Sequence, residues 1–130
     1  MNSAQFNPGF GPVGDFVADM LIAGDHPIRT RGVTIPLGTG ILKRGSLLGI
    51  VEADGTAILS LEAATDGSEV PTCILGQDVD ATTVAVESFA YIAGDFNEHQ
   101  MTFGTGHTAD SVRDGLRERS IYLHNPVIAE

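Results

Sequence analysis

The sequence predicts one mainly β domain, a small barrel or sandwich with irregular loops, carrying one short C-terminal α-helix and preceded by a flexible N-terminal arm. Three observations predict it. Short apolar runs rich in β-branched and aromatic residues recur at roughly ten-residue spacing between turn residues. Near residue 110 the apolar period lengthens to that of a helix. The opening MNSAQFNPGFGPVG has no period at all. A chain of 130 residues with 42% apolar composition suits a single domain that buries a core without disulfides or metals. The division is therefore an arm over residues 1–36 and a β-rich domain over residues 37–130.

In the arm, Phe16, Val17, Met20 and Leu21 have helix-like spacing behind Gly14 and Asp15. A helical turn there needs something to pack against, because so short a segment is marginal alone in water. The stretch IRTRGVTI, from Ile28 to Ile35, alternates large and polar side chains and stops at Pro36. Proline cannot donate to a ladder, so this reads as an edge or unpaired strand.

The body begins with Gly45–Val51 (GSLLGIV), a hairpin signal at Asp54-Gly55, and a return over Thr56–Leu61. Asp66-Gly67 marks another turn, Pro71–Leu75 a further strand, and Thr83–Tyr91 the most β-prone run of all. Gly94-Asp95 is expected to break that run, with a last short strand over Glu98–Phe103. Thr108 or Asp110 can cap a helix that runs to about Arg119, holding Val112 and Leu116 on one face. Gly115 inside it costs on the order of 1 kcal/mol relative to alanine, so packing must hold the helix. Ile121, Tyr122 and Leu123 read as a closing strand.

Seven Lys and Arg stand against seventeen Asp and Glu, a net charge of −10. Between Gly45 and Val112 there are eleven acids and no Lys or Arg. Phosphate backbones are held mainly by lysines and arginines that displace counterions, so nucleic acid is excluded as a partner of the body. The N-terminus lacks a basic start followed by an apolar run, and no stretch approaches about 18 uninterrupted apolar residues, so neither a secretion signal nor a membrane span is expected. The single cysteine, Cys73, rules out an intrachain disulfide and reads as a small apolar side chain.

Chemistry finds little to work with. Gly9, Gly11 and Gly14 spell a dinucleotide-binding motif but follow no strand. Gly38, Gly40 and Gly45 surround Lys43, yet Arg44 stands where a phosphate loop needs Ser or Thr. Asp78, Asp80 and Thr82 open like a calcium loop, which then fails at Thr83 and Phe89. His26, His99, His107 and His124 stand singly, without the spacing that binds a metal from one element. No catalytic residue, cofactor or metal is assigned.

The order of the pieces resembles the head decoration proteins of tailed bacteriophages, the family that includes the lambda capsid-stabilising protein. The resemblance rests on GDHPIRTRGVTI (Gly24–Ile35), ILKRGSLLGIVEADGTAIL (Ile41–Leu59), DGSEVPTCILGQDVDA (Asp66–Ala81), AGDFNEH (Ala93–His99) and DSVRDGLRERSIYL (Asp110–Leu123). Cys73 stands where the family pattern suggests glycine, and Gln77 where an acid is common.

The resemblance implies a β-tulip-like domain that forms a homotrimer, sits on the outer capsid surface at local threefold positions, and secures the expanded head against internal DNA pressure. It implies the major capsid protein of the same phage as partner, and passage through the host cytoplasm during assembly. An alternating, Pro-ended segment behind a Gly-rich tether is what strand addition to a partner requires. Ile28, Arg29, Thr30, Arg31, Val33 and Ile35 are accordingly the expected capsid-binding arm, with Arg29 and Arg31 facing capsid carboxylates. For the trimer the sequence offers Leu47, Leu48, Ile50 and Val51, without separating core from interface. Two readings from other classes stay open: a non-viral β-barrel that binds a ligand or peptide, and a hydrolase using Asp78, Asp80 or a histidine.

Overall fold

A computed structural model describes residues 20–125. Its strands are β1 (Arg29–Ile35), β2 (Gly40–Leu42), β3 (Leu47–Ile50), β4 (Ala57–Leu59), β5 (Pro71–Leu75), β6 (Val79–Ala81), β7 (Val86–Asn97) and β8 (Ile121–His124). A 3₁₀ turn at Glu98–Gln100 follows β7, and helix α1 spans Ala109–Arg117. Six strands make one sheet in the order β1-β7-β5-β3-β4, with β8 pairing parallel to β7. The remaining two, β2 and β6, form an antiparallel ribbon.

The mainly β architecture with one short helix is as the sequence predicts, but the sheets do not close into a barrel. The ends of the large sheet, β1 and β4, curl toward each other without a ladder between them. Instead of enclosing one interior, the sheet is covered on both faces. On one face Val33, Ile35, Leu48, Cys73, Leu75 and Ala90 pack against Leu42, Val79 and Ala81 of the ribbon. On the other, Leu47, Ile74, Tyr91, Phe96 and Ile121 pack beneath Val112 and Leu116 of α1 and against Leu21.

Consecutive residues of a strand point to opposite faces. The pairs Leu47-Leu48 and Ile74-Leu75 are therefore buried twice over, each member in a different core. Two-sided cover also explains why these runs are apolar throughout rather than alternating.

Several elements differ from the sequence expectation. Strand β7 does not break at Gly94-Asp95; it runs on to Asn97 by exchanging partners. Its first part pairs with β1 on one side and β5 on the other, and its last four residues pair with β8. Gly94, at φ 143°, donates its N–H to the Ser120 carbonyl at 3.0 Å and makes that exchange possible. The strand expected over Glu98–Phe103 is the 3₁₀ turn plus a single bridge from Thr102 to Ser46. Met20 and Leu21 belong to no helix: Ile22 bridges Phe96 in extended form, while Phe16 and Val17 lie outside the described residues.

Helix α1 is close to expectation. Thr108 Oγ1 accepts the Ser111 N–H and Ser111 Oγ accepts the Thr108 N–H, so two otherwise unpaired donors are satisfied reciprocally. Arg113 then ties the helix down, bonding the carboxylates of Glu98 and Asp110 and the Leu123 carbonyl.

Candidate functional site

The segment expected as an edge or unpaired strand is an edge strand. β1 is paired from Arg29 to Ile35 with Ala93 back to Val86, interrupted by one bulge between Arg29 and Thr30. Among the described residues no ladder occupies its other side. Val33 and Ile35 lie in the core, whereas Ile28, Arg29, Thr30 and Arg31 are exposed. The strand is thus anchored at its C-terminal end and open along its first half. An edge strand presents unpaired N–H and C=O groups that a further strand can use. The arm boundary expected at residue 36 consequently encloses a strand that belongs to the sheet.

Before β1 the chain is held against β7 and β8. The Asn97 N–H donates to the Leu21 carbonyl at 2.7 Å and the Ala23 N–H to the Asp95 carbonyl at 3.0 Å. The Asp95 carboxylate then accepts the His26 N–H at 2.8 Å and bonds His124 Nε2 at 3.1 Å. The His26 ring meets Tyr122 edge-on, centroids 4.9 Å apart. Gly24 is required here, because a Cβ would collide with the Asp95 side chain. Partial burial alone would raise the Asp95 carboxyl, but the His26 amide and the His124 ring outweigh it and hold the group below its ordinary value of 3.8.

Residues weighed for catalysis are spent on local structure. Asp78 accepts the Arg44 N–H at 2.7 Å, and Asp80 accepts both the N–H and the hydroxyl of Thr82. His99 meets Asn125 Oδ1. His107 Nε2 lies 3.1 Å from Ser60 Oγ, a pair that resembles a nucleophile and its base. Ser60, however, is fully buried and donates its one proton to the Ser68 carbonyl, so His107 must be the donor and cannot deprotonate it. Cys73 is also fully buried, and burial pushes its thiol up against the smaller opposing effects of Thr72, Arg31 and Arg119. No cluster of His, Cys, Asp or Glu among the described residues could hold a metal.

Leu47 and Leu48 have no exposed surface and belong to the chain's own cores, so they offer nothing to another copy. Ile50 and Val51 are half-buried. The most exposed apolar side chains of the body lie on or beside the ribbon, where Leu37, Ile41 and Val84 are 63%, 64% and 58% exposed, while Leu61 and Val70 are exposed elsewhere. Sequence reasoning passed over all three, because a short ribbon after Gly38 and Gly40 has too few residues to show a period. It also missed two adjoining grooves. One, of roughly 530 Å³, runs between α1 and β5 past Val70, Pro71, Gly115 and Leu116; the other, of roughly 480 Å³, lies at the start of β1.

The described residues thus present an open sheet edge with exposed arginines on a mainly β body. The family model of the bacteriophage lambda head decoration protein D matches residues 14–121, and the chain belongs to that family. A comparison with curated proteins returned no match. The chain is accordingly a phage head decoration protein, a structural component that binds the phage capsid as part of the virion.

Proposed function

We propose that the protein stabilises the expanded phage head by docking on its outer surface, at local threefold positions, as a homotrimer. Residues up to Arg31 act as the contact arm, with Val33 and Ile35 anchoring it in the core instead of meeting the capsid, and the major capsid protein supplies the strand that pairs with β1. The observation that carries this reading is the edge of β1. It is open along Arg29–Arg31, it is rooted through Asp95, and it is flanked by cations in an otherwise acidic chain.

Three arms on a cyclic trimer reach three matching sites, so contacts that are weak singly combine through effective concentration. Binding the intact shell but not its ruptured form stabilises it by mass action, about 2.7 kcal/mol per site at a hundredfold excess over Kd. In this reading the shell is held against DNA pressure by binding alone, with no bond made or broken. Leu37, Ile41 and Val84 are proposed as the contact between copies, in place of Leu47 and Leu48. Ile50 and Val51 remain candidates for its margin.

Electron microscopy of expanded heads of the same phage, stripped of decoration and mixed with the full chain, tests the reading. Added density at threefold positions is the expected result; heads that stay bare overturn it. Sedimentation of the free protein only as a monomer at tens of micromolar would count against the trimer.

A further inference from the structure

Where the ribbon-covered face of the sheet runs out, the structure leaves a recess lined by Arg31, Ile50, Thr72, Ile92, Glu118 and Arg119. Both guanidiniums are exposed, and neither makes an ion pair among the described residues. Arg31 has one long internal bond, from Nε to the Gly32 carbonyl at 3.4 Å. Acids outnumber bases by seventeen to seven, yet among the described residues Arg31 and Arg119, like Arg29 and Lys43, bridge none of them. Arg113 has two carboxylate partners and Arg117 has Asp114. Glu118 shares the recess yet bridges neither arginine. The result is a recess in which two guanidiniums bridge no carboxylate among the described residues and lie beside the apolar side chains of Ile50 and Ile92.

Arg31 stands on the face of β1 that also carries Val33 and Ile35, because alternate residues share a face. A strand added to the open edge of β1 would send every second side chain toward the same side. We propose that this recess recognises a carboxylate side chain, Asp or Glu beside an apolar residue, on the extended capsid segment that pairs with β1. The inference rests on the docking reading and adds to it the chemistry of the partner. Charge complementarity selects the occupant: a planar guanidinium bonds a carboxylate through two parallel N–H donors, and Ile50 and Ile92 exclude water beside it.

The test compares the wild-type chain with the Arg31→Gln/Arg119→Gln double variant in binding to expanded, undecorated heads across a salt series. Exposed arginines without an ion pair among the described residues should be dispensable for folding, which circular dichroism checks. Binding at least about tenfold weaker, with a shallower salt dependence and partial recovery by Arg31→Lys/Arg119→Lys, is the expected result. Undiminished binding by the double variant overturns the inference while leaving the docking function intact. If the wild-type chain itself does not bind heads, the docking reading falls and a second arm decides the recess alone. There, NMR follows the Arg31 and Arg119 Nε–H signals while the peptide acetyl-Thr-Ile-Glu-Val-Asp-Thr-amide is added. Saturable shifts that the Gln/Asn version of the peptide does not produce support carboxylate recognition. Equal shifts from inorganic phosphate, equal shifts from the amide peptide, or loss of self-association as the double variant's main effect would each overturn it.

Discussion

Asp95 shows how much one side chain can organise. Its carboxylate joins the segment before β1, through the His26 amide, to β8, through His124. Asp95→Ala should lower stability by on the order of 1 kcal/mol, because a hydrogen bond to a charged group is lost and the His26 amide keeps no protein acceptor there. The pH dependence has a definite sign. The folded carboxyl titrates below its ordinary value of 3.8. Its contribution is therefore fully present above that value and is lost as pH falls through the folded pKa. Urea unfolding at several pH values should show the gap between wild type and Asp95→Asn constant near neutrality and closing below about pH 4. A gap that widens on acidification would exclude this role. The same residue was legible in the sequence only as half of a turn signal, since its partners lie dozens of positions away.

Helix α1 is a short element whose stability divides cleanly between its cap, its backbone and its buried face. Replacing Thr108 with Ala removes one half of the reciprocal cap and should cost about 1 kcal/mol. Replacing Gly115 with Ala should do the opposite. A Cβ at Gly115 meets nothing within 4 Å, so the gain of roughly 0.5–1 kcal/mol in backbone entropy comes without a clash. Thermal unfolding of the two variants should shift in opposite directions; a Gly115→Ala protein less stable than wild type would show that the groove beside α1 needs the glycine open. The turn after the helix closes at Ser120, which takes a left-handed φ of 69° and accepts the Gly94 N–H on its carbonyl. Its existence, its buried face and one of two candidate caps were readable in advance, because capping and the 3.6-residue period act within the segment itself, whereas the expected end at Arg119 lies two residues beyond the observed one at Arg117.

For the whole molecule, what matters is where the arm stops being arm. Val33 and Ile35 are buried, and Leu21 packs under α1. A chain beginning at residue 20 should keep the fold, whereas one beginning at residue 37 loses β1 and with it part of one core. Removing large aliphatic side chains from a core costs about 2–5 kcal/mol each, so the longer deletion should be unfolded or aggregated. Circular dichroism and tryptic digestion of the two truncations check this, and a stably folded 37–130 fragment would contradict it. Head binding can be assigned to the leading residues only with the shorter truncation.

Periodicity, turn residues and composition determined a mainly β fold, its late helix, most strand positions and an acidic charge balance, because each is a local property. Tertiary structure alone decided that the sheet stays open and is covered on both faces. Leu47 and Leu48 look the same in sequence whether they meet a core or a neighbour, and only the second layer makes them core. It also decided that among the described residues β1 pairs on one side only, and that Arg31 and Arg119, far apart in the chain, share a recess with no acid among those residues bridging them. Such facts depend on what the chain brings together across long separations, and no window of sequence contains them.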